Sequence, residues 1–553
     1  SRLLSNTTYY YQLYSLVDGI WYYSQSNIND DTTTIGSSIW QNNISDSNPS
    51  QDNPYTNGDQ VNPNITVSGI SRSGGVGANG RSNEYSATNW STLPDIDTNK
   101  YFEFTLSPNL GHEINLLTFN YSGDDGRGNN INQVAVRSSI DNYESDILGS
   151  LSGDSDPSID LSGAAYQNIT GTITFRIYGW DADDDTQRFS IRDFSFEGTV
   201  TDYCVWSGTS WSNTTGPTLS HRAVIDGDYN TSTGGYQTSF SCKALTINGG
   251  KILKVNNSTF VEVIYNTTVN GELVVETKGA FIQKDNNGIF INNGTSKVNK
   301  ITPNKNAWYY YTYWSSPVKN MNIENVFPGI NRKFYFDGTN WQYATGKTME
   351  AGKGYITTAP SAGIQTATFV GEFNTGTITT PIVYDIANNI KDNLIGNPYP
   401  SSIDLNQFLA ANNGVIEGIA YFWSQETAPV GGQFSGADYI PYNTIGGVST
   451  SIDPTRALNG FVPSGQSFFI ISKATGSATF TNAMRMADVT SNSQFFKSSN
   501  TKSKASTTID NKLWVNLKSN NGVFSQILVG YTDGATNEDD GLAYDATKFD
   551  EGS

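Results

Sequence analysis

Two acidic loops carry the side chains that point most directly to chemistry in this 553-residue chain. Asp124 and Asp125 lie in a glycine-rich stretch, and Asp181, Asp183 and Asp185 lie in a second loop directly after Trp180. Clustered carboxylates on one loop suit Ca²⁺, a hard ion that gathers roughly six to eight oxygen ligands. The pattern therefore predicts a calcium site formed by these residues. The alternative is that both loops are solvated tips without a metal.

Aromatic side chains mark two candidate ligand surfaces. Trp180 directly precedes the second acidic loop, and we predict that it faces a glycan, with burial in the core as the alternative. The run at residues 308–314 is rich in rings of the kind that stack on sugars. Because alternation along a strand sends every second residue into the core, we interpret this run as mainly structural.

The only two cysteines are Cys204 and Cys242. In a secreted protein such a pair predicts a disulfide that pins the start of the module it brackets. Two free, buried thiols are the alternative.

Catalytic motifs find little support in this chain. It has two histidines, His112 and His221, which excludes a three-histidine metal centre and disfavours a nucleophile–histidine triad. Residues 75–80 match G-x-G-x-x-G but lack a strand–helix context, and no G-x-S-x-G motif occurs. A glycosidase-like carboxylate pair stays open among 52 acidic residues. We predict no catalytic residues and no enzymatic activity for this chain; for a longer protein containing it, activity stays open.

Charge and hydropathy narrow the partners further. The net charge of −19 repels a phosphate backbone, so we expect no nucleic-acid binding. No stretch of 18 consecutive apolar residues occurs, so we expect no transmembrane segment. Charged residues are 15% and aromatic residues 12% of the chain, alongside 53 glycines, and this composition favours strands and turns over helices. The expected fold class is all-β.

The elements that must position these side chains form serial modules. Asn-Gly turns recur at positions 248, 270 and 293, a spacing typical of stacked β-solenoid coils. Between about residues 301 and 486 the chain repeats itself: YWSSP, FYF, AGKGYI and ATF are followed by NPYPS, AYFW, SGQSFFI and ATF. An insertion of about 25 residues lies in the second copy, between positions 424 and 460. One helix is predicted, from Asp404 to Ala411, with residues 401–404 as candidate caps.

The sequence predicts a β-hairpin near each end of the chain. Residues 9–15 and 20–23 are predicted strands, and Leu3 and Tyr9 resemble the tyrosine corner that ends a fibronectin type III sandwich. The resemblance implies that Ser1 lies inside a longer polypeptide. Residues 513–517 and 523–530 predict a second hairpin, in a β-domain that begins but does not finish.

The predicted modules follow one another along the chain. They are the end of a fibronectin type III-like domain (1–30), a lectin-like jelly-roll β-sandwich (31–201), a β-solenoid-like module (202–300), a duplicated β-domain (301–497), a linker (498–508) and the beginning of a further β-domain (509–553).

Five segments have a recognisable sequence: AVRSSID (135–141), AVIDGDY (223–229), YWSSPV (313–318), NLIGNPYP (393–400) and the tail at 529–550. Together they resemble segments of large secreted proteins of Bacteroidota, mainly flavobacteria, that the type IX secretion system exports. The resemblance implies an extracellular or outer cell-surface location and, during export, contact with the type IX translocon and its outer-membrane partners. It also implies a sorting domain after a segment similar to 510–553. Some relatives are adhesins used in gliding motility.

These observations support one leading function and two alternatives. The leading hypothesis is a non-catalytic adhesin or adhesin stalk whose jelly roll binds a glycan with Ca²⁺. The first alternative is an accessory C-terminal part of a large secreted hydrolase whose catalytic domain precedes residue 1. The second is a passive subunit of a structural filament.

Overall fold

The computed structural model of the chain describes residues 14–17, 20–23, 37–123, 131–153, 155–425, 428–443, 445–447, 458–488, 490–492, 512–518, 524–531, 535–536, 538 and 540–545. The chain divides into two compact units, Ser1–Tyr203 and Cys204–Ser553. Regular structure is almost entirely β and is arranged in serial modules, which confirms the predicted fold class.

The N-terminal hairpin is present as predicted. Its strands β1 (Tyr14–Val17) and β2 (Ile20–Tyr23) pair antiparallel, with Tyr14 opposite Tyr23. Leu3 and Tyr9, which carry the resemblance to a tyrosine corner, lie outside the described residues. The fibronectin type III-like assignment therefore stays a prediction.

The rest of the first unit is built from antiparallel strands. They are β3 (Ser37–Asn43), β4 (Gln60–Val61), β5 (Ile65–Val67), β6 (Ser71–Arg72), β7 (Gly77–Asn79), β8 (Tyr85–Thr88), β9 (Tyr101–Pro108), β10 (His112–Ser122), β11 (Gln133–Ser138), β12 (Leu148–Leu151), β13 (Ser158–Asp160), β14 (Ile173–Trp180), β15 (Phe189–Ile191) and β16 (Asp193–Trp206). One sheet has the order β13-β10-β16-β3-β4. A second has the order β12-β11-β14-β9, with β5 and β6 both paired to β9.

These two sheets pack face to face because alternate residues of their strands are apolar. In β9, Phe102, Phe104 and Leu106 are buried, and the residues between them are half-buried. The Phe104 ring lies 5.2 Å from that of Phe119 in β10, and Phe119 stacks on Phe196 in β16 at 4.2 Å. The unit is a β-sandwich with an aromatic core, as the alternating pattern predicted.

A β-solenoid begins the second unit. Its strands are β17 (Arg222–Ile225), β18 (Tyr229–Asn230), β19 (Phe240–Cys242), β20 (Ala244–Ile247), β21 (Ile252–Val255), β22 (Phe260–Val263), β23 (Thr267–Val269), β24 (Glu272–Val275), β25 (Ala280–Gln283), β26 (Phe290–Asn292) and β27 (Thr295–Ile301). Every third strand pairs in parallel, giving the ladders β17-β20-β23-β26, β18-β21-β24-β27 and β19-β22-β25. Each coil thus covers the apolar face of its neighbour.

The recurrent Asn-Gly turns hold these coils in register. Asn293 Nδ2 donates a hydrogen bond to Asn270 Oδ1 of the coil below at 2.9 Å. The backbone of consecutive turns approaches so closely that a Cβ on Gly271 would lie 2.2 Å from the carbonyl oxygen of Lys251. Only glycine fits at that distance, and the same holds for Gly294, whose Cβ would lie 2.0 Å from the carbonyl oxygen of Gly271.

The duplicated domain follows the solenoid. Its first copy contains β28 (Thr312–Trp314), β29 (Met321–Asn322), α1 (Ile323–Val326), β30 (Lys333–Phe336), β31 (Trp341–Tyr343), β32 (Thr348–Met349), β33 (Tyr355–Thr357) and β34 (Thr366–Val370). Its second copy contains β35 (Ile378–Ile382), β36 (Asp392–Gly396), β37 (Ile403–Asp404), α2 (Leu405–Ala411), β38 (Ile416–Trp423), β39 (Tyr439–Asn443), β40 (Gly446–Gly447), β41 (Phe461–Val462), β42 (Ser467–Ser472) and β43 (Gly476–Phe480).

Strand pairing repeats between the two copies, which confirms the duplication. The first copy has the sheet order β28-β33-β30-β31, and the second has β36-β42-β38-β39-β40. The short pair β29–β32 corresponds to β37–β41, and a helix follows the first strand of each pair. The pair β27–β34 likewise corresponds to β35–β43.

Both helices begin at a side-chain cap. Asp404 Oδ1 accepts hydrogen bonds from the backbone N–H groups of Asn406 and Gln407 at the start of α2, the helix that the sequence predicted. Asn322 Oδ1 accepts from the N–H of Glu324 in the same way and opens α1. The prediction of a single helix was therefore incomplete, because one turn of helix is too short to show a periodic apolar face.

The predicted C-terminal hairpin is also present. Its strands β44 (Lys512–Lys518) and β45 (Phe524–Gly530) pair antiparallel, while the predicted turn and the linker at 498–508 lie outside the described residues. In the described part of the chain, no helix has the length and apolar character needed to cross a membrane.

Candidate functional site

An aromatic cavity of about 510 Å³ lies where strands of the two copies meet in the second unit. Seven of its lining side chains are aromatic: Tyr311, Tyr313, Phe334, Trp341, Trp423, Phe434 and Tyr439. Ile356, Gln433 and Gly436 complete the lining. We name this feature the aromatic cavity.

Strand alternation delivers the rings of the first copy. In β28, Tyr313 packs in the apolar cluster beside the cavity, while the next residue, Trp314, is fully buried in the solenoid-side core. Tyr311 lies two positions before Tyr313, and Phe334 and Trp341 come from the paired strands β30 and β31. The same 2-residue period that makes this segment a core strand therefore also turns one set of rings to the cavity.

The second copy supplies the opposite side. Trp423 ends β38 and pairs directly with Tyr439, which begins β39. The chain between these two residues belongs to the insertion predicted at 424–460, and it contributes Gln433, Phe434 and Gly436 to the lining. The corresponding connection of the first copy, between β30 and β31, is short, so this part of the lining comes from a segment that the first copy does not have.

The rings are held in one fixed arrangement by contacts with each other. Tyr313 stacks on Trp423 with ring centroids 5.7 Å apart and an angle of 29°. Trp341 and Tyr439 stand nearly perpendicular to Tyr313, at 89° and 88°. Phe434 approaches Trp423 edge-on at 5.9 Å. Because each ring packs against at least one other, the cavity walls are formed before any ligand arrives.

The polar atoms at the cavity are few. The hydroxyls of Tyr313 and Tyr439 share a hydrogen bond of 2.7 Å, and burial raises the pKa of both well above the usual tyrosine range. The Trp423 side chain is 9% exposed, and its Nε1 is buried without a hydrogen-bond partner in the described part of the chain. Gln433 is exposed at the rim.

This arrangement suits binding more than catalysis. The described lining contains no carboxylate, histidine, lysine, arginine or cysteine that could transfer a proton or attack a substrate. A concave, largely apolar cavity with a few polar groups is typical of a small-molecule site, and its volume lies within the usual range of about 300 to 1,000 Å³. Trp341, 39% exposed, offers ring surface to an incoming ligand.

The predicted calcium ligands are only partly described. Asp124 and Asp125 lie outside the described residues, while Asp181, Asp183 and Asp185 follow β14 on one loop. The Asp183 carboxylate accepts hydrogen bonds from Asn132 Nδ2 at 3.1 Å and from Gln187 Nε2 at 3.0 Å. Among the residues that the structure describes, no three His, Cys, Asp or Glu side chains are grouped to hold a metal. The calcium site stays a prediction.

Trp180, the predicted glycan-facing residue, ends β14 in the sandwich. Its side chain is 8% exposed, so it presents little ring surface to a ligand. The run at 308–314, interpreted as mainly structural, instead contributes Tyr311 and Tyr313 to the aromatic cavity.

The disulfide predicted between Cys204 and Cys242 is not formed, and this prediction is corrected in favour of the alternative of two free thiols. Both side chains are fully buried. The Cys204 thiol donates a hydrogen bond to Asn213 Oδ1 at 3.2 Å, and burial raises the pKa of both thiols. Packed in this core, each thiol serves as a small apolar side chain.

Sequence reasoning missed most of the cavity. Trp341, Trp423, Phe434 and Tyr439 did not enter any predicted site, because they are scattered over about 100 positions without a motif. The insertion in the second copy was the available signal, since an extra loop on one copy of a duplication is a natural place for a binding site.

Comparison with known proteins gives a family and a distant structural likeness. Residues 195–553 match a family described as a domain of unknown function, DUF8693. The C-terminal domain of a chitobiase from Bacteroides fragilis is a similar solved structure, with 16% sequence identity and a TM-score of 0.17; the match covers 25% of this chain and 97% of that one. No curated protein matches the chain.

Proposed function

This chain belongs to the DUF8693 family, whose function is unknown, and from the aromatic cavity we propose that it is a non-catalytic, glycan-binding part of an extracellular or cell-surface protein. The single observation that carries the proposal is the set of seven aromatic rings around one cavity with an uncharged lining.

Glycan recognition follows from the chemistry of these rings. A pyranose has hydroxyl groups at its rim and C–H groups on its faces, and those C–H groups are drawn to the electron-rich face of an aromatic ring. Tyrosine hydroxyls and the Gln433 amide lie beside the rings and can bond the sugar's hydroxyl groups. An apolar chain would use the rings but leave these polar groups unused.

The wider setting rests on the sequence resemblance described above. We include in the proposal that the type IX secretion system exports the protein and that the solenoid acts as part of the stalk of an adhesin. A serial array of β modules suits this role, because each module adds length without requiring a ligand of its own.

A glycan array with the full chain tests the proposal. We expect binding to at least one glycan class, loss of that binding in Trp341→Ala, and retention in Trp308→Ala. The two tryptophans are matched in exposure, at 39% and 46%, but only Trp341 lines the cavity. Absence of binding to every glycan, or equal loss in both variants, would contradict the proposal. Repeating the array in EDTA tests the separate calcium prediction.

A further inference from the structure

The charge around the aromatic cavity restricts which glycan it can take. Every described lining residue is uncharged, so an anionic sugar would bury its carboxylate or sulfate without a cationic partner. Asp392 lies close enough to add to the effect of burial on the Tyr439 hydroxyl. The whole chain carries a net charge of −19. The uncharged lining, the carboxylate of Asp392 and the overall negative charge therefore all disfavour an acidic ligand.

The geometry of the rings further restricts which sugars fit the aromatic cavity. Tyr313 and Trp423 form one stacked layer, while Trp341 and Tyr439 stand across it at nearly right angles. A ligand in this corner meets ring surface on more than one side. A pyranose with equatorial hydroxyls offers C–H groups on both faces, whereas an axial hydroxyl turns one face polar. The corner therefore favours the equatorial sugar.

One unpartnered donor belongs to the same wall. Trp423 Nε1 is buried and has no acceptor among the described residues. A buried N–H without an acceptor is costly, and native proteins rarely leave one without a reason. A hydroxyl or ring oxygen of a sugar that enters beside the indole would supply the missing acceptor.

Resting on the proposed glycan-binding function, we infer that the aromatic cavity takes an uncharged pyranose with equatorial hydroxyls, such as a unit of a β-1,4-linked glucan, and that Trp423 Nε1 donates to it. The lining thus selects the ligand in two ways: it disfavours charged sugars, and it favours sugars that have C–H groups on both faces of the ring.

Affinity electrophoresis with chemically matched polymers tests this inference on the full chain. Hydroxyethylcellulose and carboxymethylcellulose share a β-1,4-glucan backbone and differ in charge, and a soluble β-1,4-mannan keeps the linkage but carries an axial hydroxyl at C2. At about 0.15 M salt, where charges beyond about 8 Å are screened, we expect the carboxymethyl polymer to bind at least about tenfold more weakly than the neutral one. We expect the β-1,4-mannan to bind more weakly than hydroxyethylcellulose as well.

The outcomes separate this inference from the proposed function. Binding to other glycans on the array without any preference for the neutral equatorial polymer overturns the inference and leaves the function standing. Binding to no glycan overturns the function itself. Trp423→Phe keeps a ring but removes the N–H, so we expect roughly three- to tenfold weaker binding. Unchanged affinity in a variant with an unchanged unfolding midpoint overturns the role of Nε1.

Discussion

Lys300 gives the sharpest quantitative prediction for the stability of the second unit. It lies in β27, its side chain is completely buried, and its Nζ donates a hydrogen bond to the carbonyl oxygen of Thr277 at 2.9 Å. Burial lowers the pKa of Lys300 from its ordinary value of 10.5 to about 7. The protein therefore holds a lysine that loses its charge close to neutral pH.

The pKa of Lys300 sets the size and direction of the effect. Between about pH 7 and 10.5 the unfolded chain binds a proton that the folded chain does not, so this lysine makes stability rise with pH across that window. Below pH 7 the folded protein carries the full free-energy cost of keeping the buried Lys300 charged. At about 1.36 kcal/mol per pH unit, it amounts to about 5 kcal/mol of unfolding free energy.

Lys300→Met removes the charge and keeps an unbranched chain of similar length. It also leaves the Thr277 carbonyl oxygen without this donor, at a cost of about 1 to 3 kcal/mol. We therefore expect the variant to be about 2 to 4 kcal/mol more stable than the wild type at pH 6. Above pH 10.5 we expect the variant to be less stable, because the cost of burying the charge is gone and the hydrogen bond to Thr277 is still lost.

Urea unfolding followed by tryptophan fluorescence at several pH values between 6 and 10.5 measures this difference. Lys305, whose pKa burial also lowers to about 7, is present in both proteins, so its contribution cancels. Lys473→Met, at an exposed position, is the control and should show no such pH dependence. A difference between variant and wild type that stays flat from pH 7 to 10.5 would refute the reasoning.

Three further predictions concern the framework of the second unit. Gly271→Ala should destabilise the protein by about 3 kcal/mol in urea unfolding, because its Cβ would lie 2.2 Å from the Lys251 carbonyl oxygen. The control is Gly249→Ala, where nothing lies within 4 Å of the Cβ position, and it should leave the unfolding free energy nearly unchanged. Arg485→Lys should cost about 3 kcal/mol by the same assay, because the buried guanidinium donates hydrogen bonds to four separate groups that an ammonium cannot reach together, and wild-type stability would contradict this. A thiol-specific reagent should react with two thiols per chain only after unfolding, and an intact mass indicating a disulfide would contradict the free thiols.

The elements that sequence predicted well are those set by local spacing. The Asn-Gly turns at 248, 270 and 293 indicated solenoid coils because stacked coils must repeat their turns. Asp404 marked the start of α2 because a cap acts within three residues. The hairpins at both ends followed from alternation and turn residues. In each case the interacting groups lie within a few residues of each other or one coil apart, so their spacing along the chain carries the information.

The aromatic cavity shows where such spacing stops being informative. The alternation of the strand predicted that every second residue of 308–314 would be buried in the core. It did not predict which side chains Tyr313 would contact on the opposite face of the strand. The disulfide prediction was wrong for the same reason. The positions of the two cysteines in the sequence suggested a bridge, whereas in the folded chain each thiol is buried separately.

By itself, the sequence determined that this protein is a series of β modules with a solenoid and a duplicated domain, and that its charge disfavours nucleic acid. Only the tertiary structure decided where a ligand site lies. Tyr313 and Trp423 stack although they belong to different copies, and the insertion adds Phe434 to the same wall. The physical reason is that strand period, turns and caps are local, whereas a cavity is formed by surfaces that meet only when sheets distant in sequence pack together.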